Sequence, residues 1–315
     1  MGSGYITQRK IEKEDYSPFK GVVDDSLTVV TAYMLDGATS ISDYAFYQCA
    51  NLTSVDIPSG VTSIGNHAFA YCNALTSVTI PNGVTSTGNS TFSNCRALTS
   101  VTIPSSVTSI GSYTFYYCRA LTSIDIPSVV TSIGDHAFAS CNALTSVNIP
   151  NGLTRINEAS FYYCIALTSI TIPSTVTSIG RYAFGGCQAL TSVNIPIGVT
   201  TIGETAFTYC ASLTSVTIPS SVTSIGIQAF SGCDSLASVT IKDGATGIKD
   251  EAFYWCEALQ SVTVEAIIPP VIGTGVFNRN HPNSVIYVPS ESVETYKAAT
   301  NWSTYADRIQ AIPST

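Results

Sequence analysis

The chain has 315 residues, 45% of them hydrophobic and only 11% charged, and its 13 Lys+Arg stand against 21 Asp+Glu for a net charge of −8. This balance excludes intrinsic disorder, which requires low hydrophobicity with high net charge, and argues against a nucleic-acid partner, which requires clustered positive charge. No apolar run reaches the roughly 18–20 residues needed to cross a bilayer.

At the N-terminus, Met1 to Gly4 precede Tyr5-Ile-Thr-Gln-Arg-Lys10, with no apolar signal-peptide region. Two locations stay open: a cytoplasmic protein, or a secreted or cell-surface protein whose signal peptide was removed, which the vector-like Met1 to Gly4 favour. Residues 1–28 are expected to form a tail and cap, with Lys10 to Asp15 covering an apolar end. From residue 29 a degenerate repeat begins, with Val29, Ala32 and Met34 and then Ala38-Thr-Ser-Ile41.

The repeat becomes regular at the cysteines. Ten of them, from Cys49 to Cys256, are spaced at intervals of 23 residues, each with Phe three before it and Leu three after it. The unit reads L-T-S-V-x-I-P-x-x-V-T-S-I-G-x-x-A-F-x-x-C-x-A. A period of 20–29 residues with this Leu pattern predicts a leucine-rich-repeat solenoid, a parallel sheet of short strands with one strand per turn and short helical or 3-10 turns. In Leu75-Thr-Ser-Val78-Thr-Ile80 the alternation marks a strand buried on one face. Pro81 and its equivalents, present in eight of ten repeats, end that strand because Pro has no N–H for a ladder. A second apolar pair, such as Val107 and Ile110, precedes Gly111 or, in one repeat, Asn157. Gly and Asn tolerate φ > 0, so a left-handed turn is expected there. The Ala-Phe-x-x-Cys stretch is expected to make one helical turn. A single turn cannot bury its own apolar face, so stability must come from stacking on equivalent turns.

The solenoid is expected over residues 29–264, as about ten repeats, and the pattern slips after Val264. Residues 265–315 are expected to form a degenerate repeat and helical cap. Val285 to Val288 read as a last strand, Ser290 as the N-cap of a helix, and Trp302, Tyr305 and Ile309 as residues that dock the tail over the open end.

The L-T-S-V-x-I-P, V-T-S-I-G and A-F-x-x-C blocks resemble the bacterial surface protein A-like, or Treponema-type, branch of leucine-rich-repeat proteins, over about residues 29–264. The tail, with Pro269-Pro270, Tyr287-Val-Pro289 and Tyr296 to Trp302, is similar to the closing segment of such proteins. The resemblance implies a secreted or surface-attached protein that binds host matrix proteins or other cells, with no catalytic residues to carry over.

The cysteines all occupy one structural position, so bridging neighbours would break the repeat, and a file of sulfurs is not a tetrahedral zinc cage. They are expected to be buried free thiols acting as small hydrophobes. His67 and His136 share one repeat position three turns apart, about 14 Å by strand spacing, too far for one metal ion. No nucleophile–base pair, phosphate loop or metal motif is evident, so no enzyme activity, cofactor or metal is expected.

Two surfaces are candidates for binding. The outward strand face carries Thr79, Thr102, Thr171, Thr217 and Thr240 in a hydroxyl-rich file interrupted by Asp56, Asp125, Asn148 and Asn194. It reads either as β-propensity with solubility or as a docking face for protein or glycan; ice binding fits poorly with the Asp and Asn interruptions. Two residues after every second Phe stand Tyr71, Tyr117, Tyr163, Tyr209 and Trp255, with small or polar residues in the intervening repeats. These read either as shape-fitting after duplication of a two-repeat unit or as an aromatic stripe that anchors a partner. The expected function is a monomeric, non-enzymatic binding or adhesion module for a protein or glycan on a cell surface or matrix. The alternative is a structural spacer without a ligand of its own.

Overall fold

The computed structural model describes residues 9–11, 31–34 and 37–314. The chain forms two compact units, Met1–Gly152 and Leu153–Thr315. Each is a parallel β-solenoid built from the 23-residue turn.

In the first unit most regular turns contribute two short strands, and the turn of Ser86 and Thr87 contributes isolated bridges on the second side. On one side Arg9–Ile11, Thr31–Met34 and Ser54–Asp56 form a parallel sheet, Ser77–Thr79 pairs with Ser100–Thr102, and Ser123–Ile124 with Ser146–Val147. On a second side Ser40–Ile41 pairs with Ser63–Ile64 and Ser109–Ile110 with Ser132–Ile133. The register sets each residue beside its equivalent 23 positions on, as in Val78 with Val101. Arg9 pairs with Ala32 by the same step, so the ladder reaches into the segment expected as a cap. Val29 and residues 12–15 lie outside the described residues.

The third side, which carries Phe and Cys, is not the expected helical turn. Tyr113 and Tyr117, two residues either side of Phe115, both have left-handed backbones, with φ of 57° and 60°. Within the turn the Tyr116 N–H donates to Tyr113 O at 3.1 Å and the Cys118 N–H to Phe115 O at 3.1 Å. The Tyr113, Phe115 and Tyr117 N–H groups instead donate to Asp135, Ala137 and Ala139 carbonyls at 2.8–2.9 Å. A helix would direct all these donors along one axis inside the segment. Here alternate donors are spent on the next turn, and each such bond contributes about 1 kcal/mol against the cost of a left-handed residue, also about 1–2 kcal/mol.

The glycine before this segment is also corrected. Gly65, Gly88 and Gly111 are not in the left-handed region; the chain is left-handed two residues later. What requires glycine is close approach of backbones: a Cβ on Gly111 would stand 2.5 Å from Gly88 O, and one on Gly88 2.6 Å from Gly65 C.

The interior of the first unit is a set of files. Phe46, Phe69, Phe92, Phe115 and Phe138 are buried and stack with centroids 4.9–5.7 Å apart and rings within 14° of parallel. Beside them run Leu52, Leu75, Leu98, Leu121 and Leu144. All ten cysteines of the chain are free thiols, as expected from their spacing, and all but Cys49 are buried. The buried sulfurs of this unit also make a contact that the repeat pattern did not reveal: the Cys95 thiol donates to Phe69 O at 3.2 Å, Cys118 to Phe92 O at 3.2 Å, and Cys72 and Cys141 likewise to Phe46 O and Phe115 O. Burial pushes the Cys95 thiol up to about 12.

The second unit repeats the plan. Arg155–Ile156, Ser178–Ile179, Thr201–Ile202, Ser224–Ile225, Gly247–Ile248 and Val271–Ile272 form one six-stranded parallel sheet. Ser215–Ile218, Ser238–Ile241, Ser261–Val264, Val285–Val288 and Ile309–Ala311 form a five-stranded one. After Val264 the pairing step lengthens by one residue, Ser261 standing beside Val285, and then returns to 23 with Ile286 beside Ile309. Ile309 therefore extends the sheet.

The closing segment is a 3-10 turn, Ser290–Ser292, a short α-helix, Val293–Ala298, and a second 3-10 stretch, Trp302–Arg308. Ser290 is not its cap; its hydroxyl donates to Glu291 Oε2 instead. The segment works by donating side-chain hydrogen bonds to backbone carbonyls that the sheet leaves behind. Ser292 Oγ donates to Ile267 O at 2.8 Å and Tyr296 Oη to Ala266 O at 2.7 Å. Trp302 Nε1 donates to Pro270 O at 2.8 Å and Asn301 Nδ2 to Ile272 O at 2.7 Å. Trp302 and Tyr305 also close the end of the Phe file against Phe277. No helix among the described residues is long and apolar enough to cross a membrane.

Candidate binding surfaces

The strand register decides which hydroxyls meet. Thr79 stands beside Thr102 in the first unit, and Thr217 beside Thr240 in the second, whereas Thr171 is paired with Asn194. Thr79, Thr102, Thr171 and Thr217 are exposed and Thr240 is half-buried. Thr79 also lines an open groove of about 460 Å³ with Ser54, Asp56, Ser59 and Asn82.

Flanking files of threonine, which the sequence reading left unassigned, are already committed. The Thr99 hydroxyl donates to Thr76 O at 3.0 Å, and in the second unit Thr177, Thr200, Thr223 and Thr246 each donate to the carbonyl 23 residues before, at 3.0–3.3 Å. These threonines are themselves exposed.

The aromatic residues occupy a left-handed position: Tyr71, Tyr117, Tyr163, Tyr209 and Trp255 have φ of 54–63°. Tyr71, Tyr163, Tyr209 and Trp255 are 38%, 40%, 53% and 43% exposed, which for residues of this size is a large apolar display. Tyr117 is less open, packed against Tyr116 at 4.6 Å with the Arg119 guanidinium 4.7 Å from its ring centroid. In the second unit the alternation with glycine has a steric cause. A Cβ on Gly186 would be 3.1 Å from the Tyr163 ring, and one on Gly232 2.6 Å from the Tyr209 ring. These two rings lie against the glycine of the following turn, which leaves no room for a side chain there, whereas the turns after Tyr71 and Tyr117 carry Asn94 and Ser140.

A second aromatic set escaped the sequence reading. Tyr44 stacks on His67 at 4.7 Å and 7°, and Tyr113 on His136 at 4.6 Å and 10°. Tyr47 and Tyr116 stand edge-on to the two tyrosines, at 5.4 and 5.5 Å. The available signal was the spacing: Tyr44 and Tyr113, like His67 and His136, are three repeats apart. No group of three or more metal-ligating side chains occurs among the described residues.

A family model for the BspA type leucine rich repeat region matches residues 39–168 and 154–284, in six copies. The chain belongs to the BspA-type leucine-rich-repeat family. Among solved structures, this BspA-type chain is similar to a leucine-rich repeat protein from Bacteroides ovatus, with 25% identity, 88% of each chain covered and a TM-score of 0.64. It is 32% identical to a leucine rich cell surface protein from Faecalibacterium prausnitzii over 75% of this chain and 79% of that one, with a TM-score of 0.47. It is 30% identical to the leucine-rich-repeat protein of T. pallidum over 51% of this chain and 78% of that one, with a TM-score of 0.49. Among curated proteins, none matches the chain. The family and the B. ovatus relative are leucine-rich repeat proteins, and nothing in the BspA-type likeness indicates an enzymatic activity.

Proposed function

We propose that this chain is a non-enzymatic binding or adhesion module that presents its repeat surface, outside the cell, to a protein or glycan of another cell or a matrix. The observation that carries this reading is the display of Tyr71, Tyr163, Tyr209 and Trp255, each about half exposed and held on backbone that is hydrogen-bonded to the next turn. Tyr and Trp dominate binding hot spots because they bury much area with little rotamer entropy. A rigid support removes the ordering cost that would otherwise be subtracted from affinity. The name of the F. prausnitzii relative, a cell surface protein, agrees with an extracellular location.

The spacer reading draws on a specific observation too: the fit of Tyr163 and Tyr209 onto Gly186 and Gly232 accounts for the alternation in those turns without a ligand. Capture of soluble matrix proteins by the immobilised chain separates the two. The binding reading expects capture that is lost when Tyr117, Tyr163 and Tyr209 are together changed to Ser. Capture unaltered by the triple change removes the aromatic residues from the function, and no capture at all leaves the spacer.

A further inference from the structure

In the first unit one position of the repeat forms a file of rings with a gap in it. Two residues before the Phe of successive turns stand Tyr44, His67, Ser90, Tyr113 and His136. The first two rings are stacked 4.7 Å apart and the last two 4.6 Å apart, each pair within 10° of parallel. All five residues are left-handed, with φ of 54–60°, so their Cα–Cβ bonds leave the backbone in the same way. His67 and Tyr113 are therefore like-oriented neighbours two turns apart, about 10 Å by strand spacing. At the turn between them the same position holds Ser90, whose side chain carries no ring.

The gap matches one saturated ring. A ring inserted midway would lie about 5 Å from each wall, inside the range of about 4.5–7 Å at which stacked rings interact. The root of the gap is polar. Ser90 brings a hydroxyl that is partly exposed. Asn89 uses Oδ1 for the Ser112 N–H at 3.0 Å, which leaves its NH2 as a donor at the rim. Tyr116, edge-on to Tyr113 at 5.5 Å, stands at one flank. Aromatic walls with a hydroxyl and amide root suit a guest with C–H faces and a polar edge.

We propose that the vacant ring position over Ser90, between His67 and Tyr113, takes one pyranose of a glycan whose ring substituents are all equatorial, the β-glucose or β-N-acetylglucosamine configuration. The configuration follows from there being two walls. An aromatic face is negative and attracts the positive ends of C–H bonds. An all-equatorial pyranose turns axial C–H bonds to both faces and its hydroxyls outward in the ring plane, towards Ser90 and Asn89. A galactose-type ring turns an axial hydroxyl into one wall, where it would be buried without a partner. The proposal deepens the binding reading above by naming the ligand class at one place.

The test is calorimetric titration of the full chain with cellotetraose, chitotetraose and β-1,4-galactotetraose. The proposal expects saturable binding of the first or second, with affinity at least tenfold above the third. It expects Ser90→Tyr, which completes the file with a residue that the same position already holds at Tyr44 and Tyr113, to fold as the parent does and to lose at least tenfold. Tyr182→Ser, at the equivalent position in the second unit, should leave affinity unchanged. No saturable binding of either gluco-configured oligomer overturns the proposal, as does equal binding by Ser90→Tyr or equal affinity for the galactose oligomer. If matrix capture persists while all sugars fail, only this inference falls; if both fail, the binding reading falls with it.

Discussion

Phe207→Ala tests the burial on which the second unit depends. Phe207 is fully buried between Phe184 at 5.3 Å and Phe230 at 5.1 Å, both near parallel. Its ring removes on the order of 150 Å² of apolar surface from water, which at about 25 cal/mol per Å² is about 4 kcal/mol. Two stacked contacts add about 0.5–1.5 kcal/mol each. Partial collapse into the cavity returns some of this, so the expected loss is about 3–5 kcal/mol. The assay is urea unfolding followed by tryptophan fluorescence, since the chain's two Trp residues, Trp255 and Trp302, both lie in the second unit. A repeat array need not unfold in one step, so the shift in the midpoint of this transition is the quantity to compare. Tyr209→Ser, at an exposed ring two positions away, should move it by no more than about 0.5 kcal/mol. Equal shifts for the two variants would refute the assignment of the Phe file as the interior.

Gly111→Ala should destabilise the first unit by at least about 1–3 kcal/mol, the cost of forcing a methyl group into an overpacked site, and a thermal melt followed by circular dichroism reads it; a neutral effect would contradict the close approach to Gly88. In the unreduced protein, thiol titration should find interior cysteines unreactive when folded and ten thiols after unfolding in guanidinium; a count well under ten would show disulfides. The Cys95 and Cys256 thiols are pushed up to about 12 by burial, so the folded state holds protons that the unfolded chain releases. Stability should therefore be full below the ordinary thiol range and fall as pH rises towards 12, by up to about 1.4 kcal/mol per pH unit for each thiol. Cys95→Ala should make that fall shallower, and an unchanged slope would contradict it. Deleting residues 290–315 strips the donors from Ala266, Ile267, Pro270 and Ile272 carbonyls and uncovers the last strands. The truncated chain should self-associate on size exclusion; a monodisperse, equally stable product would show that the closing segment caps nothing.

The stacking of turns was legible because Phe, Cys and Leu recur without exception, and a one-residue change of period would have scattered them across faces. The conformation of the third side was not. Tyr, His, Thr and Glu do not signal a left-handed backbone, yet they adopt it at Tyr113, His67, Thr205 and Glu251 because the neighbouring turn accepts their N–H groups. Gly111 misled for the complementary reason: glycine was chosen there for space, and its φ was assumed. Ser290 looked like a helix cap from composition, while the segment is held by Tyr296, Asn301 and Trp302 reaching back to the sheet, contacts that no local pattern encodes. Of the candidate surfaces, the exposed tyrosines were visible as a 46-residue alternation. The Tyr–His stacks were not sought, because they recur only every third repeat.

Direct contact between residues 23 apart is the claim from which the rest follows, and Thr79 and Thr102 offer the plainest test of it. They are exposed and paired in register. With Thr79→Cys and Thr102→Cys together, a short dithiol cross-linker such as dibromobimane should bridge the two new thiols rapidly in the native protein, the buried native thiols staying silent. Thr79→Cys with Ser123→Cys, whose partners lie in turns that are not adjacent, should remain unbridged. Bridging of that second pair, or failure of the first, would mean that successive turns do not lie one upon the other.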